Sequence, residues 1–204
     1  EHVNELYLYA DEWADKSVVR RNRHRFLDQV IGRCQLIKGL MMTTLERDHA
    51  SRFNKLGHLR ERADKKTRVI DVGAGALLGD ERHHSSVDPL IWASVLQSLS
   101  AMGTYRRNIG PLVEVNEVVD FVFRHDDLPR SVRFCLNGVR DELSGLRNKQ
   151  EALKLLDRLR RRLSRFRVRE ADREQLHAFI DSFQSGLVEL SDVITETWFL
   201  PEQG

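Results

Sequence analysis

Apolar residues along this chain recur at steps of three and four rather than at every second position, and that period predicts helices almost throughout. Leu6 to Trp13 reads as one helix. Arg23 to Leu45 reads as a second, with Phe26, Val30, Ile31, Cys34, Ile37, Leu40 and Met41 on a broad apolar face. Asp48 is placed to cap a third, where Leu56, Leu59, Ala63, Thr67, Ile70, Ala74 and Leu77 share one mostly apolar side. That helix is expected to reach Leu78, although Gly73 and Gly75 weaken its end by up to about 1 kcal/mol each relative to alanine. Gly79 to Val87 is polar and reads as a loop containing His83-His84. Asp88-Pro89 is a cap followed by a first-turn proline, opening a fourth helix to about Tyr105. After Gly110-Pro111 come a helix over Val113 to Phe123, one opened by Asp126-Asp127-Leu128-Pro129 and reaching about Leu146, and one over Gln150 to Phe166. The last, Glu170 to Phe199, sets Leu176, Ile180, Phe183, Leu187, Leu190, Ile194 and Trp198 on one face. With no segment of convincing strand alternation, the expectation is an all-α bundle of about seven or eight helices. Its long members run antiparallel, and residues 1–204 form a single domain.

Beside the apolar side of the third helix runs a second stripe: Gly57, Glu61, Asp64, Arg68 and Asp71, at steps of four, three, four and three. Three readings fit it. The row is a solvated face of intrahelical ion pairs, or a network joining helices that approach closely over Gly57. In the third reading it is a ligand or catalytic site. There Glu61 and Asp64 would move protons or bind a cation while Arg68 held an anionic group. The last helix carries a comparable flank of His177, Asp181 and Gln184. Whether the two flanks meet is a tertiary question.

Charge alters this picture only locally. The chain has 33 Lys and Arg against 31 Asp and Glu, a net +2, so no strong overall bias toward polyanions exists. Residues 158–173, however, hold eight arginines and two acids. Arg158, Arg160, Arg161, Arg162 and Arg165 are therefore candidates for docking an acidic partner or a polyanion. Phe166 is the lone aromatic among them, which makes nucleic acid a poor fit. Cys34 and Cys135 lie far apart among apolar neighbours. They read as core residues of a protein kept reduced, hence cytoplasmic. No apolar run has the length of a membrane span. Opening at Glu1 rather than Met predicts an upstream segment that completes the bundle.

Two Glu-x-x-His spacings, Glu46 to His49 and Glu174 to His177, invite a di-iron reading. The first straddles a predicted helix break, and Glu174 points away from its helix's apolar face. Neither a metal nor a cofactor is expected. Gly73-Ala74-Gly75 with Gly79 follows a helix rather than a strand, so the logic of a phosphate-binding glycine loop fails.

Several separated stretches share one further property. Glu46-Arg47-Asp48, Arg52-Phe53 and Leu56-Gly57-x-x-x-Glu61-Arg62-Ala63-Asp64-x-x-Thr67-Arg68 resemble the motif of the bacterial alpha-E domain family, long described as a domain of unknown function. Tyr105-Arg106-Arg107, Leu128 to Cys135, His177-Ala178-Phe179, Phe183-Gln184 and Thr197-Trp198-Phe199 agree in order. The resemblance spans the chain from about Phe26 and corresponds to the C-terminal two-thirds of longer members, which carry an earlier copy of the Leu-Gly-x-x-x-Glu-Arg-Ala helix. His58 and Leu59 depart from the family's basic residue and aromatic, and Arg60 from an apolar one. The resemblance implies an accessory role beside an ATP-grasp ligase, often with a transglutaminase-like peptidase, in peptide or amide synthesis or modification. Self-association stays open. An enzyme using Glu61, Asp64 and Arg68 on a small amide or amino acid, and a polyanion-binding module over Arg158 to Arg173, are the rival expectations.

Overall fold

A computed structural model describes residues 1–75 and 88–200. Among these residues it has nine α-helices and no strand: α1 His2–Trp13, α2 Arg20–Thr44, α3 His49–Gly75, α4 Asp88–Ser98, α5 Met102–Asn108, α6 Val115–Arg124, α7 Val132–Ser144, α8 Gln150–Arg165 and α9 Arg173–Trp198. The expected all-α architecture is what the chain adopts. The extension of the third helix to Leu78, and the Gly79 to Val87 loop with His83-His84, lie outside the described residues. The chain divides into two compact units, Glu1–Ser51 and Arg52–Gly204.

In the first unit α1 and α2 form a helical hairpin through a 3-10 turn at Asp15–Val18. Tyr9 stacks on Trp13 and on Phe26, with ring centroids 6.0 and 5.9 Å apart, and the Arg33 guanidinium lies 4.2 Å over the Tyr9 ring. Asn22, Phe26, Val30, Arg33, Ile37 and Leu40 follow steps of four, four, three, four and three and, with Met41, are the half-covered residues of α2. Arg33 takes a seam position with its aliphatic stem, which leaves its neighbour Cys34 exposed rather than in a core as expected. Neither α1 nor α2 contains a fully buried residue, since two helices cover only one stripe of each other.

In the second unit α3, α7, α8 and α9 make an antiparallel four-helix bundle. Pair by pair, contacts run in opposite chain directions. Leu59 packs at Gly138 and Arg52 at Gly145 between α3 and the α7 end, and Leu159 packs at Gly186 between α8 and α9. Arg160 reaches Asn137 while Arg140 reaches Asp157 between α8 and α7. Gly138 and Gly186 are required by close approach: a Cβ there would stand 2.7 Å from a Leu59 methyl and 2.6 Å from a Leu159 methyl. Helices α4 to α6 pack where α3 and α8 finish. Val95 and Trp92 lie against Gly73, and Arg124 donates to the terminal carbonyls Leu163 O and Phe166 O of α8. The core includes Ile70, Trp92, Tyr105, Phe123, Leu136, Leu156, Ile180, Phe183 and Leu187.

Three helix boundaries differ from expectation for local reasons. The fourth predicted helix is two, because Ser100 turns into the left-handed region at φ 49°. Ser100 N–H donates to Gln97 O and Ala101 N–H to Leu96 O, the paired bonds of a Schellman ending, with Leu96 and Ala101 both buried. Cap duty at α7 falls to Ser131 rather than Asp126 or Asp127. Its hydroxyl accepts from Phe134 N–H at 3.0 Å and donates to His125 O at 2.5 Å. The last helix starts at Arg173, not Glu170, where Asp172 and Gln175 complete a reciprocal capping box. Asp48 does cap α3, accepting from Ser51 N–H at 2.9 Å.

Candidate functional site

The polar row of α3 and the polar flank of α9 meet. Asp71 Oδ1 lies 2.6 Å from His177 Nδ1, and Gln184 Nε2 donates to Thr67 Oγ1 at 3.2 Å. Arg60 reaches across to Leu187 O at 3.3 to 3.4 Å. These cross-links advance along α3 as they retreat along α9, so the row forms the rim of an antiparallel helix pair. Position in the row decides each residue's environment. Asp64 is the most covered, at 13 % side-chain exposure, and accepts from Arg68 Nε at 3.0 Å and Nη2 at 3.4 Å. Asp71 is 28 % exposed, His177 58 % and Asp181 62 %. Glu61 faces water and pairs with Lys65 at 2.7 Å within its own helix. Gly57 does not admit a neighbour as expected, because among the described residues no atom beyond its own stretch of helix backbone lies within 4 Å of where its Cβ would stand.

Electrostatics follow the contacts. The Lys65 hydrogen bond and charge hold the Glu61 carboxyl below its ordinary range. The Asp71 hydrogen bond, then its charge and that of Asp181, raise His177 above the usual imidazole value. His177 Nε2 is 3.5 Å from Asp181 Oδ2, so the ring stands between two carboxylates. Beside the row, a groove of about 480 Å³ is lined by Val69, Val72, Ile91 and Val95, with Arg68 at its rim.

The arginine-rich segment is divided by the fold. Arg160 binds Asn137 Oδ1 at 2.9 Å and faces Asp157 at 3.4 Å, Arg162 donates to Ser182 O, and Arg158 is 3.6 Å from Glu189. Arg167 pairs with Glu170, Arg169 with Glu117, and Arg173 binds Ala74 O and Gly75 O at the end of α3. Arg161 and Arg165 pair with no carboxylate among the described residues. With Arg158, Arg162, Phe166 and Phe179 they line a hollow of about 400 Å³.

Comparison with known proteins places this architecture. A family model described as Alpha-E, a predicted alpha-helical domain with a conserved ER motif, matches residues 1–199. The chain belongs to the Alpha-E family. The match begins at residue 1, so the α1–α2 hairpin falls within the Alpha-E domain together with the bundle, and not only the part from Phe26. No curated protein and no solved structure matches the chain.

Glu-Arg pairs occur in this Alpha-E chain at Glu46-Arg47, at Glu61-Arg62, and at Glu81-Arg82 outside the described residues. At the second pair the two side chains part company. Glu61 stays on the solvent side, while Arg62 crosses to donate to Pro129 O at 3.2 Å in the turn before α7. One helical turn on, Lys66 is half-buried. Burial first, then the charges of Arg130 and Arg62, push its ammonium below the ordinary value. Cys135 behind it is buried, which pushes its thiol up to about 11 and makes it a poor nucleophile.

Sequence reasoning missed one charged group altogether. Glu142 on α7 is buried and receives Lys55 and, at 3.6 Å, Arg52 from the first turns of α3. Its signal was the step Leu136, Val139, Leu143 along α7, which brings position 142 to the edge of the buried face. The Glu174-x-x-His177 spacing is not what the fold uses, since the donors that gather are Asp71, His177 and Asp181.

Proposed function

We propose that this Alpha-E chain is a helical accessory subunit that acts with an ATP-grasp-type peptide or amide ligase, without bond-making chemistry of its own. The observation that carries the reading is how the polar row is used. Glu61 is taken by Lys65, Asp64 by Arg68 and Asp71 by His177. Charges paired off along a helix seam hold a shape rather than converge on one reacting atom. Family membership supports the same setting, because alpha-E proteins resemble companions of such ligases and of transglutaminase-like peptidases. Docking surface is available on the exposed apolar residues of α1 and α2, among them Tyr7, Leu8, Leu27 and Ile31. The cysteines fit a cytoplasmic protein, and among the described residues no helix is long and apolar enough to cross a membrane. Cross-linked capture from the native host is expected to recover the ligase. A protein that is recovered alone under cross-linking overturns the reading.

One observation favours a second reading. Arg68 stands at the edge of an apolar groove, the arrangement that would hold the carboxylate of a small amide or amino acid, with Asp64 paired to Arg68 and Glu61 two turns back along α3. Turnover that Glu61→Gln abolishes in a folded protein would establish an enzyme. Retention on heparin that falls with salt and with loss of Arg161 and Arg165 would instead favour a polyanion-binding module.

A further inference from the structure

His177 sits between two carboxylates, and a neutral imidazole can serve only one of them. It carries a single N–H, and the 2.6 Å contact to Asp71 Oδ1 assigns that proton to Nδ1. In the neutral ring the lone pair of Nε2 then faces Asp181 Oδ2 across 3.5 Å, a gap that a second ring proton or a cation can bridge. A divalent ion between them satisfies both. With metal–nitrogen and metal–oxygen bonds of about 2.1 Å, the edge of a tetrahedral site is about 3.4 Å, close to the separation already present. His177 and Asp181 are four residues apart on α9, so the helix sets their spacing without a loop. Ligating atoms of Asp71, His177 and Asp181 all lie within 4.8 Å of one another. An imidazole and carboxylate set of this kind suits Zn²⁺ and similar transition ions better than Mg²⁺ or Ca²⁺.

We propose that His177 and Asp181 form an open Zn²⁺-class site on the rim of the α3–α9 pair, with Asp71 orienting the imidazole through its Nδ1–H. This is the carboxylate–histidine–metal relay in which an outer carboxylate fixes the tautomer and strengthens the ligand. Two protein ligands from α9 leave positions on the ion for water or for a donor from a bound molecule. Arg173, at the first turn of the same helix, is held by the carbonyls of Ala74 and Gly75. The site is independent of the accessory-subunit reading and stands or falls separately.

The test is titration of the chelator-stripped full chain with Zn²⁺ by calorimetry and with Co²⁺ by visible absorption. The expected result is one ion per chain, with a Co²⁺ spectrum of nitrogen and oxygen ligation. His177→Ala and Asp181→Asn should each weaken binding at least tenfold and abolish the Co²⁺ bands. Asp71→Asn, which leaves both ligands in place, should weaken it by about tenfold to a hundredfold. Asp181 is exposed, so Asp181→Asn is expected to keep the helical circular-dichroism signal and to serve as the decisive variant. Wild-type protein that binds no Zn²⁺, or variants that bind it as wild type does, would overturn the assignment. His83→Ala/His84→Ala should leave the binding unchanged, and loss of the ion in that variant would overturn it too.

Discussion

Glu142 and Gly186 show how much single positions decide in the second unit. Glu142 is a covered carboxylate whose two cations reach it from α3, so Glu142→Gln removes the charge while keeping the shape. Loss of charge-assisted hydrogen bonds of this kind costs about 1–2 kcal/mol, moderated because Lys55 is largely in water. Urea denaturation should show it as a lower midpoint with an unchanged slope. At Gly186 two effects oppose each other. Alanine gains about 1 kcal/mol of helix propensity, but its Cβ would meet a buried Leu159 methyl at 2.6 Å, and overpacking costs about 1–3 kcal/mol. Gly186→Ala is therefore expected to destabilise by about 1 kcal/mol. Gly57→Ala, with open space around it, is expected to stabilise by a similar amount in the same measurement.

Helix lengths depend on caps, and caps were only partly legible. Asp48 and Asp88-Pro89 carry standard signals, and both open helices where expected. Asp172-x-x-Gln175 carried an equally clear one that the apolar pattern starting near Glu170 obscured. Asp172→Ala should cost about 1 kcal/mol and fray the first turn of α9. Amide exchange at residues Glu174 to Leu176 should report it. The α4–α5 break had no glycine to announce it. Ser100 bears a left-handed conformation that disfavours any residue with a Cβ by roughly 1 kcal/mol, and the burial of Leu96 and Ala101 compensates. Ser100→Gly is accordingly expected to stabilise by up to about 1 kcal/mol, read as a higher thermal midpoint.

For the whole molecule, the pairing of α3 with α9 converts two unrelated-looking sequence stripes into one seam, and that seam carries a pH signature. His177 has its folded-state value raised above the 6.5 of the unfolded chain, through the Asp71 hydrogen bond first. Its contribution to stability is complete below that unfolded value and is lost as pH climbs through the raised one. Thermal midpoints of wild type and His177→Gln, measured in chelator from about pH 6 to 9, should therefore converge toward the alkaline end. A gap that widens with pH would contradict the assignment of the shift to Asp71.

The helical class, most helix positions and the buried faces of α3 and α9 were determined by the chain alone, whereas on α2 the covered stripe runs through Arg33 rather than the expected Cys34. They depend on intervals of three and four residues, and such intervals are local. Of the seven positions expected on one face of the last helix, Leu176, Ile180, Phe183, Leu187, Leu190 and Ile194 are buried as their spacing requires, and Trp198 is half-buried. Only the tertiary structure decided which polar residues of the row are covered, that Asp71 rather than Glu174 stands beside His177, and that Glu142 needs Arg52 and Lys55. The period of a helix says which side faces a neighbour but not which neighbour, nor at what register. The environment of a charge depends on both.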